Sequence, residues 1–190
     1  MFTDTLSRED AVRKNQETPM STRIQFAVHE LTHHLIAEHY GLVCGGIELG
    51  FQEGRSPYLP AMCHTGDELE RKFKAGEPIT PEYNRAYAHA VLSNGYGDEA
   101  VFGTPPELRG AELDEYQARK QLERFMHYEP HEAQAFMDAS IKETRRILSD
   151  PKIRQSLRSA GELAAREYWG TGKLMSRDAV NEALNKKGGS

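Results

Sequence analysis

"FAVHELTHHLIAEHYG", residues 26–41, carries four of the chain's eight histidines, three of them between His29 and His34. Apolar residues run through it at helical spacing. Ile24, Val28, Leu31, Leu35 and Leu42 fall on a stripe of period 3.6, and Gly41 closes the segment. The pattern predicts a helix from Ser21 to about Tyr40, capped by Ser21 or Thr22. Inside it, His29-Glu30-Leu31-Thr32-His33 fits H-E-x-x-H. Four-residue spacing sets the two imidazoles one turn apart on one face, where they can share one Zn2+ ion, with Glu30 on the neighbouring flank. Such a set suits metal-assisted hydrolysis of a peptide bond. The ion acidifies water and polarises the carbonyl, while Glu30 takes the proton and passes it to the leaving amine. His34, five residues past His29, and His39, six past His33, point away from that face and read as solvated histidines or as histidines that stand behind the ligands.

A catalytic zinc needs a third protein ligand. Asp114 stands on one helical stripe with Ala118, Leu122 and Phe125, facing inward where an unpaired carboxylate is costly. An acidic residue in a first helical turn is the other reading of that position. Asp98 and Glu99, near the end of the second long helix, compete for the role. His127 and His131 also stand four apart, but Pro130 breaks the helix that would align them, so they read as surface residues.

Around the motif helix the chain divides simply. Residues 1–20 hold little apolar content and read as a flexible N-terminal arm or a weak amphipathic turn; the domain spans 21–185, and 186–190 should fray. "LVCGGIELG", residues 42–50, is strand-like on both sides of a Gly pair, and "FQEGRSPYLPAMCHTG" after it reads as loop or hairpin. Thr80 and Pro81 open a second long helix, and residues 102–110 form a loop. Three more helices follow, over 111–129, 131–150 and 151–169, the last two divided at Asp150 and Pro151, and Ser176 caps a final short one. The fold class is mainly α with a small β-hairpin or sheet.

Net charge of −5 and mixed signs along the chain leave no footprint for nucleic acid. No run of eighteen apolar residues exists to span a membrane. The two cysteines, Cys44 and Cys63, with no signal peptide before them, point to free thiols in a reducing cytoplasm.

In order and content these segments resemble the peptidase domain of the FtsH-type ATP-dependent zinc metalloproteases. "VHELTHHLIAEHYGLVCGGIELG" matches that family's H-E-A-G-H helix, Gly-ended turn and edge strand; "NGYGDEAVFG", residues 94–103, resembles its G-R-A-A-E-E-x-x-F-G pattern; "GAELDE", residues 110–115, resembles its G-A-x-x-D-L. "LAAREYWGTGKLMSRDAVNEAL" is similar to its closing region, so the likeness covers about residues 21–185. It implies a zincin-like H-E-x-x-H helix followed by an edge strand and a helical bundle. It also implies Zn2+ held by His29, His33 and Asp114, with Glu30 as general base. Two departures stand out: Leu31-Thr32 replaces the small Ala-Gly pair inside the motif, and Gly97-Asp98 replaces Ala-Glu in the second pattern.

The expected activity is a zinc-dependent endopeptidase acting on flexible or unfolded protein segments. No G-x-x-x-x-G-K-[ST] loop is present, so folded substrates would need a separate unfoldase. An oligomer stays open, because the rings that the resemblance suggests are built there with the motor's help. The "VCGGIEL" strand offers an edge to which an extended peptide could add, and Tyr40 or another nearby polar group could steady an oxyanion. The alternative is a metal-stabilised protein-binding module, an inactive peptidase relative, in which Cys44 and Cys63 close the metal site.

Overall fold

The computed structural model describes residues 5–58, 60–66, 71–72, 74–93, 95–103 and 111–186, with backbone alone at 111–113. The expected loop beyond Gly103 and the fraying tail beyond Lys186 lie outside the described residues. The elements are α1 (Arg8–Glu17), α2 (Met20–His39), β1 (Gly46–Leu49), β2 (Ala61–Cys63), α3 (Pro81–Leu92), α4 (Tyr96–Phe102), α5 (Ala111–Phe125), α6 (Pro130–Leu148), α7 (Pro151–Glu167), β3 (Met175–Ser176) and α8 (Arg177–Asn185). The molecule is mainly helical with one small antiparallel sheet, as the sequence pattern predicts. Among the described residues no helix is long and apolar enough to cross a membrane.

The motif helix α2 is the axis of the fold. Every residue from Ala27 to His34 is buried, so its middle is enclosed on all sides and not along one stripe. Helix α7 packs along it, and Gly161 allows that approach, since a Cβ there would meet Val28 Cγ2 at 2.6 Å. Helices α3 and α4 and strands β1 and β2 cover its other flanks. The start of α2 differs from the expected one. No side chain caps it after Pro19, and Ser21 and Thr22 lie inside its first turn. Proline presets the helical φ at the boundary, and the Arg23 guanidinium ties the turn down by donating to Thr18 O at 2.8 Å and Asn15 O at 2.7 Å.

The N-terminal arm is also more structured than its composition predicts. Residues 8–17 are helical; Ser7 Oγ accepts from the Asp10 amide at the start, and Leu6 and Ala11 are buried. Asn15 then bonds the chain after β1 in both directions, accepting from Phe51 N–H at 2.7 Å and donating to Phe51 O at 2.9 Å. Polar anchoring of this kind leaves no hydrophobic period to read.

The sheet runs β2-β1-β3, with Ile47 opposite Cys63 on one side and Met175 on the other. The strand after the motif helix is therefore central, and the expectation of an edge strand there is corrected: β2 and β3 are the edges. Gly46, at φ 121, lies so close to the Met175 carbonyl that any Cβ would collide with it. Helix α3 starts as expected, with Thr80 Oγ1 accepting from the Tyr83 amide, but it stops at Leu92. Asp98 and Glu99 thus sit in the first turn of the separate helix α4. On α5, Ala118 and Leu122 are fully buried while Phe125 is 47% exposed, so the predicted stripe ends one turn early.

Candidate metal centre

Successive turns of α2 aim His29 and His33 at one spot, with ring centroids 5.0 Å apart. His33 Nδ1 lies 2.8 Å from the Ala90 carbonyl oxygen of α3. A carbonyl only accepts, so Nδ1 carries the hydrogen and Nε2 keeps its lone pair. That Nε2 lies 3.7 Å from Asp114 Oδ2, and His29 Nε2 lies 3.9 Å from the same oxygen. One donor atom from each of His29, His33 and Asp114 falls within 4.8 Å of the others, an arrangement that could hold a metal ion. The three residues singled out from the sequence are therefore brought together by α2 and α5.

Asp98 comes to the centre from another side. Its Oδ2 is 3.7 Å from His29 Nδ1, on the far edge of the ring from Asp114, so it backs the histidine and is not a member of the ligand set. Carboxylates behind a ligating imidazole fix its tautomer and raise its basicity. Glu99, the other competing ligand, instead pairs with Arg145 at 3.1 Å in an exposed position.

The electrostatics favour a cation. Burial opposes protonation of His29, but the Asp98 interaction and the charges of Glu30, Asp98 and Asp114 outweigh it, and its pKa is raised. Glu30 is 7% exposed. Burial pushes its carboxyl up; His29 and His33 oppose that, Asp114 adds to it, and the Cys63 backbone amide faces the group and favours its charged form. A carboxyl raised in this way is suited to moving a proton.

Tyr40, expected as an oxyanion group, forms the C-terminal cap of α2 and stacks on His89 at 4.2 Å. Seven residues past His33, it lies about 10 Å further along the helix axis. The tyrosine beside the centre is Tyr87 of α3, largely buried and close enough to Asp114 and Cys63 that both join burial in raising its hydroxyl pKa. Its place on the apolar face of α3 gave no sign of this in the sequence.

A second group lies on another flank of α2. Of the two readings for His34, solvation is excluded: it is fully buried, and its Nε2 is 3.0 Å from Asn181 Oδ1 of α8. Cys44 and Cys63 are free thiols with sulfurs 3.2 Å apart, gathered with His34 and not with His29 and His33. They do not close the first site. The hydrogen bond from Cys63 brings the Cys44 thiol down to about 5, helped by His34, while burial pushes Cys63 up. His39, His127 and His131 are exposed, as expected. The chain matches no protein-family model, no curated protein and no solved structure.

Proposed function

We propose that the chain is a zinc-dependent endopeptidase of the FtsH type, with His29, His33 and Asp114 as metal ligands and Glu30 as general base. The observation that carries this reading is the convergence of both Nε2 atoms and an Asp114 oxygen beside the buried Glu30 of the same helix. The donor set fits zinc: two neutral imidazoles and one carboxylate leave a position for water or substrate. When bound, the ion supplies Lewis-acid polarisation of a peptide carbonyl and an acidified water.

The chain's own residues do the rest. The Ala90 carbonyl fixes the His33 ring with its free nitrogen inward, and the Asp98 carboxylate stands 3.7 Å behind the inward-facing His29 ring. Glu30, with its raised pKa, accepts a proton from the attacking water and delivers it to the leaving amine. The peptide edge is β2. Its pairing with β1 runs through residues 60, 62 and 64, as in Gly50 N–H to Pro60 O at 2.6 Å and His64 N–H to Gly46 O at 2.9 Å. Alternation turns the backbone groups of Ala61 and Cys63 to the outer side, where the Cys63 amide faces Glu30. An extended, unfolded segment adding there as a further strand would run past the carboxylate. Folded substrates would need a separate unfoldase to supply such a segment.

Digestion of casein by zinc-loaded protein, with Glu30→Gln as the pair and metal content measured on both, tests this. The wild type should cut, and the variant should hold its zinc and lose at least 100-fold in rate, in line with the usual contribution of a general base of about 10²–10⁴. Equal cleavage by the variant would refute the mechanism.

A further inference from the structure

The His34, Cys44 and Cys63 group is unused by the proposed hydrolysis, and its geometry is that of a ligand set. One donor atom from each lies within 4.8 Å of the others. His34 is fully buried, and its Nδ1 has no hydrogen-bond partner among the described residues. The opposite nitrogen explains why. Nε2 faces Asn181 Oδ1 at 3.0 Å, an acceptor, so Nε2 carries the hydrogen and Nδ1 presents a bare lone pair towards the sulfurs. An imidazole oriented by a carbonyl-type oxygen behind it is the usual arrangement of a ligating histidine. The Thr65 backbone amide faces the Cys63 sulfur, and Cys44 Sγ lies 3.9 Å from the Gly46 carbonyl oxygen, so both sulfurs sit among backbone polar groups in a buried place.

We infer that His34 Nδ1, Cys44 Sγ and Cys63 Sγ form a second metal site, for a divalent thiophilic ion of the zinc class. Charge selects the valence. Two thiolates and a neutral imidazole around a 2+ ion sum to zero, which a buried site tolerates; a monovalent ion would leave an uncompensated negative charge there. Glu38, the carboxylate that acts on His34, is already paired with Arg177 at 2.6 and 2.8 Å. Three protein donors leave the fourth tetrahedral position to a water.

The site also has a mechanical consequence. Cys63 belongs to β2, Cys44 precedes β1, and His34 follows the ligand His33 on α2. An ion held by all three pins the β2 edge to the motif helix and so fixes the Cys63 amide opposite Glu30. The site itself does not depend on the hydrolytic reading.

Reduced wild type loaded with Co2+ is the probe, because thiolate-to-cobalt charge transfer absorbs strongly in the near ultraviolet and imidazole-carboxylate sites lack that band. The wild type should show the band and bind two equivalents of metal. Asp114→Ala should keep the band and lose one equivalent; Cys44→Ser should lose the band and keep one equivalent. Should Cys44→Ser fail to fold, zinc protection of both wild-type thiols against alkylation gives the same answer without a variant. Reduced wild type lacking both the band and the protection would overturn the second site, and would leave the first untouched.

Discussion

At the scale of single residues, Asp98 is a buried carboxylate that stands behind a histidine. It is 2% exposed, and neither of its carboxylate oxygens has a hydrogen-bond partner among the described residues. A buried carboxylate without donors is costly, and the group placed to compensate it is His29, whose ring lies 3.7 Å away. A metal ion on the other nitrogen would increase that compensation. Asp98→Asn should therefore weaken zinc binding at the His29, His33 and Asp114 site by about 10–100-fold, read by competition with a chelator in the Cys44→Ser background. Unchanged affinity there would mean that Asp98 only packs. Asp114 entered only as one candidate beside Asp98 and Glu99, favoured by the resemblance, whereas His29, Glu30 and His33 were readable as one cluster, because spacing along a helix fixes which side chains share a face. The role of Asp98 was not, because spacing says nothing about which edge of an imidazole a carboxylate meets. The surroundings of His34 were hidden for the same reason: a helical period assigns it a face, but only the fold shows that α8 and the two cysteines cover that face.

At the scale of elements, Thr32 and Gly97 form one packing event between the motif helix and α4. Thr32 of α2 and Gly97 of α4 lie in contact, and a Cβ on Gly97 would overlap the Thr32 hydroxyl. That hydroxyl donates to the Val28 carbonyl at 2.7 Å, so it cannot swing away freely. Alanine in place of a helical glycine would by propensity gain about 1 kcal/mol, whereas overpacking a tight contact costs about 1–3 kcal/mol. Steric overlap with a hydrogen-bonded side chain decides the sign. Gly97→Ala should lower stability by about 1–2 kcal/mol, and adding Thr32→Ala should recover most of it, as urea unfolding of the four chains of the cycle will show. Additive losses would separate the two positions. The sequence disclosed both residues without their contact. It also concealed β3, whose two residues Met175 and Ser176 are too short for a period yet make β1 a central strand. The polar ties that hold α1 down were equally hidden.

At the scale of the whole molecule, α2, α3 and α6 meet around His89. Its Nδ1 is 2.7 Å from Ser140 Oγ, and its ring stacks on Tyr40 at 4.2 Å and lies against Phe136 at 4.6 Å. Burial brings its pKa down from 6.5 to about 4. The neutral ring is the folded form, so its contribution is complete above pH 6.5 and falls as the unfolded chain takes up the proton between 6.5 and about 4. By pH 5 the loss is about 1–2 kcal/mol, allowing for partial solvent access. His89→Gln should flatten this part of the stability profile, measured as the urea midpoint at pH 7.5 and at pH 5. An equal fall in the variant would assign the acid sensitivity elsewhere.

The candidate metal centre joins these scales, because α2, α3, α4 and α5 each bring to it a possible ligand or a group that stands behind one. Zinc-edge anomalous diffraction from zinc-loaded crystals tests it most directly. The account predicts a peak bounded by His29 Nε2, His33 Nε2 and the Asp114 carboxylate, with Glu30 beside it and outside the ligand set. Fully loaded protein with no peak there, or with zinc only among His34, Cys44 and Cys63, would contradict a catalytic centre on this helix.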